Sequence, residues 1–256
     1  MNIWEAILLG LVQGLTEFLP ISSSGHLVLF QNILGVQGDL LFFDVMLHVG
    51  TLAAVFTVFF RDIIDLFKPP FKTMGCLIIA TLPAGIVMLL LSDQIEALFG
   101  GQFLWIGFLI TALLLLATEF IGKKYPRNKP LDLKVSLIMG VSQAVAIVPG
   151  ISRSGATISG GVYAGAKRET VAKFSFLMSI PVILGSGFFE IIKVQDWNAV
   201  PIVCVIAGMI AAGLSGFLAI KLMLRLIQKC NYKWFSLYLI VLALVSCLNQ
   251  YVFSWW

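Results

Sequence analysis

The sequence predicts an all-α polytopic membrane protein with six transmembrane helices and two re-entrant helical hairpins, arranged as an inverted-topology repeat. Hydrophobic residues fill 59% of the 256 positions and charged residues only 12%. An ordinary soluble domain has roughly 25% charged residues, so this chain has too few polar side chains to cover a globule in water. The placement of its basic residues and the likeness of two broken apolar segments complete the prediction.

Six apolar segments approach or exceed the roughly 20 residues that a helix needs to cross the hydrocarbon core. The predicted spans cover about residues 41–61, 73–92, 102–121, 169–192, 199–222 and 234–254. Pro83 is expected to kink the second span. No signal peptide is predicted, because the first residues carry Glu5 in place of a basic region. Four cysteines without paired short spacing are expected to pack inside the protein: Cys76, Cys204, Cys230 and Cys247.

The basic residues predict the topology. Of the 17 Lys and Arg residues, 15 lie in four segments that the positive-inside rule places in the cytoplasm. These segments hold Arg61, Lys68 and Lys72; Lys123, Lys124, Arg127, Lys129 and Lys134; Lys167, Arg168 and Lys173; and Lys221, Arg225, Lys229 and Lys233. Threading the spans through them places the C-terminus outside. A net charge of +4 that is spread in this way argues against nucleic acid as a partner.

Two apolar segments do not fit as simple spans. Residues 132–166 are flanked on both sides by cytoplasmic clusters and are broken at Pro149-Gly150, so we expect a hairpin that enters and leaves by one face. Residues 2–35, broken at Pro20, are expected to form a similar hairpin from the outside. Such backbone is tolerated at membrane depth only where protein or water lines it. Arg153, at the tip of the second hairpin, is the one basic residue that this map does not explain.

The two hairpins resemble each other at a fixed offset of 130 residues. The matched pairs are Gly10 and Gly140, Gln13 and Gln143, Ser22 and Ser152, Ser24 and Ser154, and Gly25 and Gly155. The topology gives the two halves opposite orientations, as in folds whose broken helices form a site at the midplane. We therefore predict one membrane domain, residues 1–256, with a first repeat of about 1–121 and a second of about 132–254.

The first hairpin concentrates reactive side chains at its break. Gln13 and Glu17 are four residues apart and share one face of the first half-helix. Residues 22–24, three serines, offer N-cap oxygens and free amides to a second half-helix. Ser23 and His26, three apart, can converge on the first turn of that helix.

The second tip repeats the serine cap and adds a guanidinium at Arg153. Two helix N-termini that face each other with an arginine form an anion site, and arginine matches phosphate oxygens bidentately. Glu17, His26 and Arg153 are predicted to be functional, because ionisable groups inside a membrane are costly. The predicted anion-binding residues, most of which are also expected to cap helices, are Ser22, Ser24, Gly25, Ser152, Ser154, Gly155 and Thr157.

Three other polar residues are assigned structural places. His48, in the first span, is expected to be a satisfied interior histidine rather than a catalytic one. Glu119 and Glu190, near the ends of their spans, are expected to be interfacial.

The two tips, Glu17-Phe18-Leu19-Pro20-Ile21-Ser22-Ser23-Ser24-Gly25-His26 and Pro149-Gly150-Ile151-Ser152-Arg153-Ser154-Gly155, resemble those of the undecaprenyl-diphosphate phosphatase (bacitracin resistance protein) family. The likeness covers essentially the whole chain. It implies a bacterial inner-membrane enzyme that removes one phosphate from the C55 isoprenyl diphosphate carrier. That reaction recycles the carrier for peptidoglycan synthesis and confers resistance to bacitracin.

The resemblance also implies roles for residues. Glu17, Ser23, His26 and Arg153 are expected to be catalytic, in a site that faces the outer leaflet. A divalent cation, Mg²⁺ or Ca²⁺, is expected at the family's (E/Q)-x-x-x-E motif, which is Gln13 to Glu17 here. This chain carries the Gln form and lacks the second carboxylate.

Several alternatives stay open from the sequence. The nucleophile could be His26, Ser23 activated by His26 or Glu17, or a metal-bound water. Transport of a polyprenyl phosphate lipid would use the same anion site, and inverted repeats with broken helices are a transporter architecture. The expected partners are the polyprenyl diphosphate and membrane lipids, and a homodimer is left open.

Overall fold

The computed structural model describes residues 1–96, 103–124, 128–229 and 231–253. Arg127 and Cys230, which entered the predictions above, lie outside these ranges. The described residues form eleven α-helices and a final π-helical turn. These are α1 (Ile3–Phe18), α2 (Ser23–Ile33), α3 (Leu41–Val58), α4 (Phe60–Leu66), α5 (Lys72–Glu96), α6 (Leu104–Lys124), α7 (Leu133–Val145), α8 (Arg153–Tyr163), α9 (Arg168–Lys193), α10 (Ile202–Lys229), α11 (Lys233–Leu248) and the π-helical turn (Asn249–Phe253).

The prediction of an all-α membrane protein with six spans is confirmed. Within the described ranges, six helices are long and apolar enough to cross a bilayer: α3, α5, α6, α9, α10 and α11. Large apolar side chains cover the exterior, and Leu89, Phe188 and Leu214 are each more than half exposed. A protein with such a surface would aggregate in water, so lipid is its solvent. The chain is a multi-pass membrane protein.

Two details of the spans differ from the prediction. The first spanning helix, α3, ends at Val58, and Arg61 lies in the separate short helix α4. A departure from helical dihedrals that the sequence did not predict lies at Leu91 of α5, with φ −128° and ψ 20°, and the kink expected at Pro83 stays a prediction. One turn before Pro83, the backbone of α5 is packed directly against α7: a Cβ built on Gly140 would lie 2.6 Å from the carbonyl oxygen of Ala80.

Each predicted hairpin consists of two short helices that pack against each other, α1 with α2 and α7 with α8. Their lengths are 16, 11, 13 and 11 residues, which is fewer than the roughly 20 that a spanning helix needs. The breaks lie at residues 19–22 and 146–152. That each hairpin enters and leaves by one membrane face stays a prediction.

The first helix of each hairpin packs against a spanning helix from the other half of the chain. Helix α1 packs mainly on α10, and α7 packs on α5. Both pairs meet through glycine: a Cβ on Gly10 would lie 2.3 Å from the carbonyl oxygen of Gly208, closer still than the 2.6 Å of the Gly140 contact with α5. Gly10 and Gly140 are one of the matched pairs at the offset of 130. The division into repeats 1–121 and 132–254 stays a prediction. Two repeats of the same structure would pack against each other in this reciprocal way.

The main hydrophobic core lies beneath the tip of the first hairpin. Phe18, the last residue of α1, is 1% exposed and meets Phe176 of α9 edge-on, with ring centroids 5.6 Å apart. Phe59 packs on the same ring at 6.0 Å. Aromatic packing of this kind anchors the end of α1, and Glu17 precedes Phe18 in sequence. The core therefore sets the position of the Glu17 carboxylate.

Replacing Gly10 by alanine is expected to lower the free energy of unfolding by about 1–3 kcal/mol, the usual cost of overpacking. The new Cβ would lie 2.3 Å from a backbone oxygen of α10, which cannot move without separating the two helices. Thermal unfolding of the purified protein in detergent measures the effect. The matched control is Gly75→Ala in α5, where a Cβ meets nothing within 4 Å. Equal melting temperatures for Gly10→Ala and the parent protein would contradict this contact.

Candidate active site

The tips of the two hairpins are in contact. The hydroxyl of Ser154 donates a 3.0 Å hydrogen bond to the carbonyl oxygen of Leu19. The backbones also meet, since a Cβ on Gly25 would lie 3.3 Å from the Cα of Gly150. Helices α2 and α8 both begin at these tips. Their unsatisfied N–H groups and positive helix ends therefore belong to one site, as the sequence predicted.

Glu17 is the centre of this site. Its side chain is 4% exposed, and its Oε1 accepts from Nη2 of Arg153 in a buried ion pair. The other oxygen, Oε2, accepts from the hydroxyl of Ser23 at 2.5 Å and from Nε2 of Gln13 at 2.9 Å. Three donors from both hairpins thus hold one carboxylate. The structure brings together four of the predicted residues: Gln13, Glu17, Ser23 and Arg153.

Gln13 has one unsatisfied atom. The residue is 0% exposed, and its Oε1 is buried without a hydrogen-bond partner. Leaving a buried acceptor unpaired costs about 1–3 kcal/mol. This oxygen can accept a hydrogen bond from a water molecule or a protonated ligand, or coordinate a cation.

His26 does not join this cluster through either ring nitrogen. Nδ1 lies 2.7 Å from the carbonyl oxygen of Ser22, and Nε2 lies 2.7 Å from the hydroxyl of Tyr238. A carbonyl only accepts, so Nδ1 carries the hydrogen and Nε2 accepts from the tyrosine. The imidazole also stacks on Tyr238 and meets Phe108 edge-on. Spacing along α2 predicted that His26 and Ser23 converge, but Nδ1 is bonded to the cap of its own helix and Nε2 to Tyr238 of α11.

His48 is a site residue that the sequence analysis assigned to the interior. Its Nε2 lies 3.9 Å from Oε2 of Glu17, and its side chain is 29% exposed. Nδ1 lies 2.8 Å from the carbonyl oxygen of Asp44. The sequence could have indicated this role, because Asp44 and His48 are four residues apart in an otherwise apolar span and lie on one face of α3. Tyr238, in contrast, lies in a span with no such signal.

The serines before α2 and α8 cap those helices. Ser22 accepts from the amide of Gly25 at 3.4 Å, and Ser152 accepts from the amide of Gly155 at 3.1 Å. Ser22 has φ +69°, in the left-handed region that a serine rarely adopts. Such strain persists only where the surroundings impose it, and it is concentrated at functional sites. The turn before α8 places its positive φ on Gly150 instead, at +84°.

Other predicted anion-binding residues have partners within the protein. Thr157 donates to the carbonyl oxygen of Arg153 at 2.8 Å and shares a hydrogen bond with Ser175 at 2.6 Å. The two matched glycines are explained by contacts with α6. A Cβ on Gly25 would lie 2.5 Å from the ring of Phe108, and one on Gly155 would lie 3.3 Å from Cγ2 of Thr111. Ser24 is half-buried at the tip. That these residues bind an anion stays a prediction.

Glu119 is more buried than an interfacial residue. It is 4% exposed, and Nη2 of Arg168 donates to it at 2.9 Å. The guanidinium also lies 4.6 Å from the centre of the Tyr232 ring. Arg168 belongs to a predicted cytoplasmic cluster, so the pair closes the bundle between α6 and α9 at that end.

Comparison with known proteins identifies the family. The model of a family described as bacitracin resistance protein BacA matches residues 6–245. The chain belongs to this family. The BacA family membership confirms the resemblance that the tip motifs predicted.

Curated relatives of this BacA family member are similar along their whole length. A protein of Carboxydothermus hydrogenoformans named undecaprenyl-diphosphatase is 42% identical and covers 98% of both chains. A protein of the same name from Methanosphaera stadtmanae is 38% identical, over 98% of this chain and 99% of its own. A third, from Christiangramia forsetii, is 42% identical over the same shares.

The oxygen donors of the site fit a divalent cation that also binds phosphate. No group of three His, Cys, Asp or Glu side chains with metal-ligand geometry exists within residues 1–96, 103–124, 128–229 and 231–253. Mg²⁺ needs no such cage, because it commonly uses one or two carboxylates and completes its shell with water and substrate phosphates. The carboxylate of Glu17 and the amide of Gln13, which contacts it and has an unpartnered Oε1, are oxygen ligands of this kind.

Removing one member of the Glu17–Arg153 pair is expected to leave a buried, unpaired charge. Glu17→Ala and Arg153→Ala should each lower the free energy of unfolding by about 3–5 kcal/mol. The double variant removes both charges and should cost less than the sum of the two single changes. Denaturant unfolding in micelles, followed by tryptophan fluorescence, measures the three values.

The matched control is the exposed pair Asp65–Lys68, whose atoms approach to 2.7 Å but whose side chains are 64% and 62% exposed. Exposed pairs contribute little, so alanine at either position should leave stability nearly unchanged. Strict additivity of Glu17→Ala and Arg153→Ala would contradict the coupling across the tips.

Proposed function

We propose that this BacA family member hydrolyses undecaprenyl diphosphate to undecaprenyl phosphate and inorganic phosphate in the bacterial inner membrane, and thereby confers bacitracin resistance. One observation carries the proposal: a hydroxyl, an acceptor carboxylate and a guanidinium meet where the two hairpin tips touch. Relatives named undecaprenyl-diphosphatase at 38–42% identity support the choice of substrate. By recycling the lipid carrier, the reaction serves peptidoglycan synthesis.

Ser23 is the nucleophile in this proposal. Its hydroxyl already donates to Oε2 of Glu17 at 2.5 Å, which is the arrangement of a nucleophile and its base. Glu17 takes the proton as Oγ of Ser23 attacks the terminal phosphorus. The bond from that phosphorus to the bridging oxygen breaks, and undecaprenyl phosphate leaves. Water then attacks the phosphoserine, the bond between phosphorus and Oγ breaks, and Glu17 returns its proton to Oγ, which releases phosphate and restores Ser23.

Arg153 stabilises the charge on the phosphates. A guanidinium has five N–H donors, and the contact with Glu17 uses Nη2, so other donors are available to phosphate oxygens. The first amides of α2 and α8 add partial positive charge from both halves of the chain. Phosphoryl transfer depends largely on positioning and on such electrostatic stabilisation.

His26 has a positioning role in this scheme. Through Ser22 and Tyr238 it connects the strained turn before α2 to α11. That connection holds the N-terminus of α2, and with it Ser23, at the second tip. His26 acts as a base or nucleophile only if Tyr238 first releases Nε2.

A divalent cation, Mg²⁺ or Ca²⁺, is part of the proposal. Glu17 and Gln13 are the residues that would hold it, together with phosphate oxygens of the substrate. When bound, it supplies positive charge to the transferring and leaving phosphates. The site is proposed to open to the outer leaflet, with the C-terminus on the same side of the membrane.

Alanine at Glu17, Ser23 or Arg153 is expected to reduce phosphate release from undecaprenyl diphosphate by at least about 100-fold, the usual effect of losing one stabilising group. His26→Ala is expected to lower it through displacement of Ser23. The assay uses purified protein in detergent with a divalent cation. It also separates hydrolysis from lipid transport, because transport alone releases no phosphate.

The matched controls are Arg61→Ala and Glu169→Ala, which remove the same two charges from exposed positions outside the site. Both should retain the parent rate. Full activity of folded Glu17→Ala or Arg153→Ala would contradict the proposed site.

The covalent route makes a stereochemical prediction. A substrate with an isotopically chiral terminal thiophosphate is expected to react with net retention, because two displacements at phosphorus invert its configuration twice. Protein denatured during turnover should carry phosphate on Ser23, as measured by mass spectrometry of the peptide, and Ser23→Ala should carry none. Net inversion would indicate direct attack by water, and phosphate found on His26 would exclude Ser23 as the nucleophile.

A further inference from the structure

His48 faces the central carboxylate across a gap. Its Nε2 lies 3.9 Å from Oε2 of Glu17, which is too long for a hydrogen bond. It is shorter than twice a metal–ligand bond of about 2.1 Å, so one ion between the two atoms can contact both. The imidazole is 29% exposed and the carboxylate 4% exposed. The gap is therefore shielded on the Glu17 side and partly open on the His48 side.

The backbone of α3 determines which nitrogen of His48 can bind such an ion. Nδ1 lies 2.8 Å from the carbonyl oxygen of Asp44, so it carries the hydrogen, and in the neutral ring Nε2, which lies 3.9 Å from Oε2 of Glu17, keeps its lone pair. A lone pair that faces a carboxylate is unfavourable unless a proton or cation lies between them. Histidines that bind metals usually donate their other N–H to a carbonyl or carboxylate in this way. Asp44 is itself held by Gln31, which donates to its Oδ1 at 2.8 Å.

Gln13 supplies an independent observation at the same carboxylate oxygen. Its Nε2 donates to Oε2 of Glu17 at 2.9 Å, and its buried Oε1 has no partner. A half-turn of the amide would exchange the two atoms and direct the orphaned oxygen toward Glu17. A cation at the gap would then receive oxygen from Gln13 and Glu17 and nitrogen from His48.

We propose that Nε2 of His48 is a third protein ligand of the divalent cation, with Glu17 and Gln13, and that it makes the site prefer a transition-metal cation such as Mn²⁺. Oxygen-only sites suit Mg²⁺ and Ca²⁺, whereas an imidazole favours first-row transition metals. The role of the ion at a phosphate rests on the proposed function. The nitrogen ligand itself can be tested without turnover.

The chain has only two histidines, His26 and His48, so a nitrogen bound to Mn²⁺ can be assigned by pulsed electron paramagnetic resonance. The experiment uses full-length protein with a histidine-free affinity tag, loaded with Mn²⁺ in detergent. We expect a ¹⁴N imidazole coupling that becomes a ¹⁵N coupling after labelling with ¹⁵N-histidine. It should persist in His26→Gln and disappear in His48→Gln. Absence of the coupling in the parent protein, or its persistence in His48→Gln, would overturn the proposal.

Cation titrations of the same proteins give a second measurement. His48→Gln replaces the nitrogen by an amide and should weaken Mn²⁺ binding by at least about tenfold, the scale of losing a metal-site interaction. Binding of Mg²⁺ and Ca²⁺ should change far less, so equal losses for all three ions would contradict the inference. If the nitrogen coupling is present but the parent protein releases no phosphate with any cation, the metal ligand stands and the proposed hydrolysis fails.

Discussion

The ion pair between Glu17 and Arg153 is the constraint on which the rest of the structure depends. Its partners are 136 residues apart in sequence, one in each predicted half of the chain, and both are largely shielded from solvent. Charges in such surroundings are tolerated only when they are paired and hydrogen-bonded. The two tips must therefore meet, and the glycine contacts that bring α1 onto α10 and α7 onto α5 serve that requirement.

Polar groups at the tips are of two kinds: some bond to the protein's own backbone, and others are partly accessible to a ligand. Ser22, Ser152 and Thr157 have their hydroxyls bonded within the protein, and they maintain the two helix starts. Ser23 and Arg153 share one partner, Glu17, and the side chains of both are partly accessible. Two unfavourable features lie beside this second group, namely the strained φ of Ser22 and the orphaned oxygen of Gln13. Proteins retain such costs mainly at functional sites.

The apolar surroundings of the site determine how strongly its charged groups act. In the proposed reaction, the apolar exterior lets the prenyl chain remain in lipid while its diphosphate reaches two helix N-termini in a shielded site. In such surroundings each N–H donor and each charge acts more strongly on phosphate than it would in water. The BacA family fold thus places a reaction of a highly charged group inside a body whose outer surface is almost entirely apolar.

Composition and span length were enough to predict the six spanning helices, because a helix that crosses the bilayer needs about 20 consecutive apolar residues and this can be read from one segment alone. That Glu17, Ser23 and Arg153 share one site also followed from sequence, since two similar breaks in an otherwise apolar chain leave few other partners, but the ion pair between Glu17 and Arg153 was not predicted. Helical spacing did not predict the partners of the two histidines. His26 is occupied by Tyr238, 212 residues away, and His48 reaches Glu17 because α3 packs against α1. Spacing along one helix states which side chains share a face, but the neighbouring helix determines what that face meets.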